Sequence, residues 1–97
     1  MLKITGYIWI AKYVWKNLHR HNVTMEEVKQ VLRNSPQFFR KQRGKMSGED
    51  LYSAVGQIDS GRYLVVFFIR KADGRALPIS ARDLTAKEKH RYAKSRK

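Results

Sequence analysis

The sequence predicts an α+β domain with two N-terminal helices, an antiparallel sheet of three to four strands and a C-terminal helix. Three observations lead there. Tyr63 to Ile69 is an apolar run rich in β-branched and aromatic residues, too short for a helix and long enough for a strand buried on both faces. Thr24 with Glu27, and Thr85 with Glu88, have the spacing of capping boxes, which mark helix starts. Turn signals at Met46-Ser47-Gly48, Asp59-Ser60-Gly61 and Asp73-Gly74 divide the chain between those starts into strand lengths.

Met1 to Thr5 alternates weakly, as a short edge strand or a frayed terminus would. From Ile8 to Leu18, the residues Ile8, Ala11, Trp15 and Leu18 follow helical spacing, and Lys12, Lys16 and Asn17 fall away from that stripe. Trp15 is therefore expected in the core. The helix ends near His19-Arg20-His21, and Asn22 is its stop because Asn tolerates the left-handed conformation. The second helix starts at Thr24 and buries Val28, Val31 and Leu32, while Glu26 and Glu27 occupy its dipole-favoured first turn. Asn34-Ser35-Pro36 breaks it.

Gln37 to Lys45 changes character. Phe38 and Phe39 precede Arg40, Lys41, Arg43 and Lys45 with no acid among them. That is the composition of a nucleic-acid groove, and equally of an edge strand whose cations block sheet-to-sheet aggregation. Leu51 to Ile58 alternates as a strand, Tyr63 to Ile69 is the sheet centre, and Ala76 to Ala81 completes a hairpin. Arg70 and Arg82 both belong at strand ends, where the sheet meets solvent. Beyond Thr85 the last helix has almost no apolar face apart from Ala86, Tyr92 and Ala93, and Arg82 to Lys97 carries seven basic and two acidic residues.

The 97 residues make one domain, 1–97. No run approaches the roughly eighteen apolar residues that cross a bilayer, so no membrane contact and a cytoplasmic location are expected. The absence of cysteine excludes disulfides, thiol nucleophiles and cysteine-ligated zinc. Lys and Arg number 21 against 8 Asp and Glu, a formal charge of +13. So basic a small domain calls for a polyanionic partner, with nucleic acid first. A membrane surface would want the cations gathered on one amphipathic helix, and here they are spread over strands and loops.

The usual catalytic constellations are missing: no phosphate-binding Gly-rich loop, no paired carboxylates, no serine elbow. His19 and His21 stand at a helix end far in sequence from His90, so neither a metal nor any other cofactor is expected. A basic surface with histidines and tyrosines can still cleave RNA, because the 2′-hydroxyl is an internal nucleophile. The protein need only orient it, move its proton and stabilise the charged phosphorane.

Several segments resemble one family. Lys16 to Val23 (KNLHRHNV), Glu26-Glu27-Val28, Gly61 to Phe67 (GRYLVVF), Ile79 to Thr85 (ISARDLT), and Lys87-Glu88-Lys89 with Arg91-Tyr92 look like the BrnT toxins, in order and spacing. Ser-Ala-Arg followed by a Thr-x-x-Glu helix is the most specific piece. The resemblance implies a RelE-like fold and a ribonuclease toxin of a type II toxin-antitoxin pair. A co-encoded DNA-binding antitoxin would neutralise it, the complex repressing its own operon. By position, Arg82 is the Ser-Ala-Arg arginine, His21 the histidine of the first helix end, and Arg70 the basic residue after the central strand. Asn22 stands where the family usually has glycine, and Pro78 replaces the common aliphatic, removing an amide as at a sheet edge.

The leading expectation is metal-independent RNA cleavage that stops translation. Arg82 and Arg70 would stabilise the phosphate, and His21 or Tyr92 would move the proton. Arg40, Lys41 and Arg43, with Lys71, Lys89 and Arg91, would bind the RNA backbone. The antitoxin would offer an acidic segment in place of phosphate. The alternatives are a domain that holds nucleic acid without reaction, and a protein-interaction domain whose basic face is reserved for an acidic partner.

Overall fold

Strand β4, Tyr63–Arg70, is the middle of a five-stranded sheet in the computed structural model, which describes residues 2–44 and 49–95. Its antiparallel neighbours are β3, Asp50–Gln57, and β5, Arg75–Asp83. β2, Gln37–Gln42, pairs antiparallel with β3 at one edge. At the other edge β1 is only Gly6–Tyr7 and runs parallel to Arg75 and Ala76. The sheet is therefore mixed, with five strands among the described residues rather than three or four antiparallel ones. Lys45 and the turn signal Met46-Ser47-Gly48 lie outside the described residues.

Both capping boxes are formed. Thr24 Oγ1 accepts the Glu27 N–H at 3.1 Å and Glu27 Oε1 accepts the Thr24 N–H at 2.9 Å, opening α2, Met25–Arg33. Thr85 and Glu88 repeat the exchange at 3.1 and 2.9 Å, opening α3, Ala86–Ser95. Helix α1, Ala11–His21, stops at Asn22 in the left-handed conformation, φ 54°, as its sequence position implied.

The helices α1 and α2 cover one face of the sheet. There Leu64, Val66 and Phe68 of β4 meet Val23, Val28 and Val31 with essentially no exposure. On the other face Val65, Leu84 and Tyr92 make a smaller cluster under α3.

The packing of α1 corrects the expected stripe. Trp15 is 60% exposed and Leu18 42%, whereas Asn17 is 4% exposed. Helix α1 is turned so that the Asn17 Oδ1 accepts the Ala81 N–H of β5 at 3.1 Å. Because β1 covers only Arg75 and Ala76, the remainder of β5 behaves as an edge, which accommodates Pro78 and leaves the Ala81 amide in need of an acceptor.

β5 also carries one extra residue. Phe68 pairs with Pro78 but Phe67 pairs with Ser80, leaving Ile79 unopposed. Past that bulge Ser80 and Arg82 share the face of Phe67 and Val65, and Ala81 and Asp83 share the helix-covered face.

Candidate nucleic-acid interface

Side chains on one face of β2, β3 and β4, closed on one side by α3, form a groove of about 300 Å³. Its apolar surface is Phe39, Val55, Val65, Phe67 and Tyr92, and its polar surface Gln37, Lys41, Ser53, Glu88 and Arg91. Strand alternation explains the set: Gln37 and Phe39 pair with Val55 and Ser53, which pair with Val65 and Phe67. Lys41 lies at an irregular pairing after Arg40, with its ammonium 5.6 Å from the Phe39 ring centre. Phe39 is 44% exposed, an apolar face beside a cation.

Arg82 borders this groove through two contacts. Its guanidinium lies 5.9 Å from the ring centre of Phe67. Its two terminal nitrogens donate to the two Glu88 carboxylate oxygens at 2.8 and 3.0 Å, a bidentate pair. That pair and the Thr85 amide hold the Glu88 carboxyl down from 4.5 to about 2, and the same bond raises Arg82. Glu88 thus remains a carboxylate while it both caps α3 and holds Arg82.

Tyr92 is 5% exposed, meets Tyr63 edge-to-face at 5.8 Å and lines the groove. Arg91 lies on the groove wall beside it. The groove therefore gathers four of the sequence-predicted residues: Lys41, Arg91 and Tyr92 on its surface, and Arg82 through Glu88 and Phe67.

The others stand elsewhere. Arg70 pairs with Ala76 on the helix-covered side of β4, and its guanidinium donates to the Lys3 carbonyl at 3.1 and 3.2 Å. Arg82 pairs with Val65, five residues back along β4 and on the opposite face. The two arginines are thus separated by roughly 17 Å of strand as well as by the sheet itself. A single cradle made from both is not what the fold builds, because an odd offset along a strand sends side chains to opposite sides. Arg40 faces away from Phe39 and lies 3.6 Å from Asp50. Lys71 is paired with Glu49 at 2.6 Å beyond the far end of β4. Arg43 follows β2 and is exposed. Lys89 extends over the Tyr63 ring, outside the groove lining.

His21 is not among the groove-lining residues either. It belongs to a polar knot whose centre, Arg62, has no assigned role in the sequence reading. Arg62 donates to the carbonyls of Asn22 and His21 at 2.8 and 3.1 Å, to Glu27 at 3.3 Å and to Asp83 at 2.7 Å. One guanidinium so ties the end of α1, the cap of α2 and the end of β5, meeting carbonyls that a helix terminus leaves without partners. Hydrogen bonding to Arg62, with the charges of Arg62, Lys89 and His21, holds Asp83 below the usual carboxylate range. The available signal was positional: a lone arginine directly before the central strand, beside two helix termini that needed a donor.

Among the described residues no group of three or more His, Asp or Glu side chains could hold a metal ion, and no helix is long and apolar enough to cross a membrane. No curated protein matches the chain. A family model described as "Ribonuclease toxin, BrnT, of type II toxin-antitoxin system" matches residues 9–88. That span carries α1, α2, β2 to β5 and the Thr85–Glu88 cap, and by it the chain belongs to the BrnT family of ribonuclease toxins.

Proposed function

We propose that this chain cleaves RNA in the groove beside α3, without a metal, and thereby stops translation in the cytoplasm. The observation that carries the reading is the meeting of Lys41, Arg91, Phe39 and Tyr92 in one groove with Arg82 at its border. Cations there contact phosphates, and the exposed ring of Phe39 stacks an unpaired base. The 2′-hydroxyl attacks phosphorus and the 5′-oxygen leaves, one proton passing in net from the first oxygen to the second. The products are a 2′,3′-cyclic phosphate and a 5′-hydroxyl. Arg82 stabilises the added charge on phosphorus. Tyr92 on the groove surface carries the proton, while the His21 carbonyl helps Arg62 fix the end of α1. A co-encoded DNA-binding antitoxin neutralises the toxin by laying an acidic segment over the groove cations.

Incubation of the purified protein with RNA in EDTA tests this. Cleavage by the wild type and its loss in Arg82→Ala are expected. Intact RNA with the wild type, or undiminished cleavage by Arg82→Ala, overturns it. A second reading is favoured by the carboxylate that already occupies both terminal nitrogens of Arg82: a groove that holds RNA without cutting it. Salt-sensitive complexes yielding only intact RNA would select that reading.

A further inference from the structure

An arginine has five N–H donors in a flat fork, and where they go decides what else the side chain can hold. Nη1 of Arg82 donates to the Asp83 carbonyl at 3.0 Å and to Glu88 Oε1 at 2.8 Å. Nη2 donates once, to Glu88 Oε2 at 3.0 Å. Among the described residues no group accepts from the two N–H bonds that remain, one on Nε and one on Nη2. These two are parallel neighbours on the side edge of the guanidinium, a spacing that meets two oxygens of one phosphate. The Arg82 side chain is 34% exposed and so open to a ligand.

Two other arginines joined to the sheet have this edge occupied. Arg62 gives its Nε–H to Asp83 and its terminal nitrogens to Asn22, His21 and Glu27. Arg70 turns both Nε and Nη2 to the Lys3 carbonyl. Glu88, by contrast, takes only the end edge of Arg82, and is itself fixed because its Oε1 also accepts the Thr85 N–H at 2.9 Å where α3 begins. Its carboxyl stays ionised down to about pH 2, so the grip persists wherever RNA is handled. The carboxylate also offsets the charge of Arg82 at close range. Long-range attraction for RNA therefore falls to Lys41 and Arg91, and Arg82 acts through the direction of its donors.

We infer that Glu88 is a positioning residue for the cleavage reaction: it grips Arg82 by the end edge of the guanidinium so that the side edge, Nε–H and Nη2–H, receives the two non-bridging oxygens of the phosphodiester. The inference rests on the ribonuclease reading above and deepens it. It reconciles the bidentate carboxylate with catalysis, since Glu88 and the phosphate hold different edges of one guanidinium. Charge accumulates on those oxygens as the 2′-oxygen attacks, and donors that are already aimed stabilise it without reorganising.

The test measures single-turnover RNA cleavage in EDTA, binding of a 2′-deoxy analogue that cannot be cut, and urea melts, for wild type, Glu88→Gln, Thr85→Ala and Arg82→Lys. Glu88→Gln keeps an oxygen for the Thr85 amide but loses the charge and one acceptor. It lowers the cleavage rate about thirtyfold, while the analogue binds as tightly as before or up to about fivefold tighter because a cation is uncovered. Thr85→Ala weakens the same cap without touching the Glu88–Arg82 pair, so it loses stability and keeps the cleavage rate. Arg82→Lys keeps a charge beside Glu88 but has no fork, and it cleaves no better than Glu88→Gln. Three results overturn the inference and leave the ribonuclease reading standing: undiminished cleavage by Glu88→Gln or Arg82→Lys, faster cleavage by Glu88→Gln, which makes the carboxylate a block, and an equal loss in Thr85→Ala, which makes its role structural. A wild type that leaves RNA intact removes the ribonuclease reading and the inference with it.

Discussion

The two faces of β4 are built from adjacent residues and are covered differently. Leu64, Val66 and Phe68 are sealed beneath α1 and α2, whereas Val65 and Phe67 share their side with one short helix and an open groove. Both faces are apolar, so composition alone does not separate the sealed side from the grooved side. What separates them is cover. Arg62 and the Thr24 cap pin α1 and α2 down, while α3 is held at its start by Glu88 and further along by Tyr92.

The sharpest way to break this comparison is to shorten two neighbouring rings. Phe68→Ala should destabilise the fold by about 3–5 kcal/mol, and Phe67→Ala by about 1–2 kcal/mol while weakening RNA binding, as urea melts and RNA titrations would show. Equal stability losses would mean that the groove face is as much core as the other. The next largest effect contrasts the two arginines. Arg82→Ala should lower RNA cleavage by about a hundredfold and Arg70→Ala should leave it nearly unchanged, in a gel assay at fixed salt.

Arg62→Ala should cost about 2 kcal/mol in thermal or urea unfolding, since it leaves the helix-end carbonyls and Asp83 without their donor. The smallest effect is that of pH. Because folding lowers the Glu88 carboxyl from 4.5 to about 2, its contribution is complete above pH 4.5 and is lost as pH falls toward 2. With a partly exposed pair the loss amounts to about 1–2 kcal/mol, and Glu88→Gln should flatten that part of the acid unfolding profile.

Much of this comparison was legible in the sequence, and its limits are instructive. The two Thr-x-x-Glu boxes, Asn22 and the Tyr63 to Ile69 run located both capped helices, the end of α1 and the central strand, because each is a local chemical signal. The two-residue β1 was not legible, since it exists only through its pairing with Arg75 and Ala76. The rotation of α1 was hidden for a related reason: Asn17 counts as a surface residue until the Ala81 amide on a distant strand requires an acceptor. Of the candidate residues, Lys41, Arg91 and Tyr92 line one groove and Arg82 borders it. Arg70 does not, because its side of the sheet depends on strand parity.

Ile79 gives that parity its consequence. An unopposed residue in a strand works as a half-turn of phase, so everything downstream of it is displayed inside out relative to an uninterrupted ladder. Were Ile79 paired in an uninterrupted ladder, it would stand opposite Phe67 and set Arg82 opposite Leu64, on the helix-covered face. The side of the sheet on which the Arg82 guanidinium emerges is thus set by the bulge at Ile79, three residues before the arginine itself.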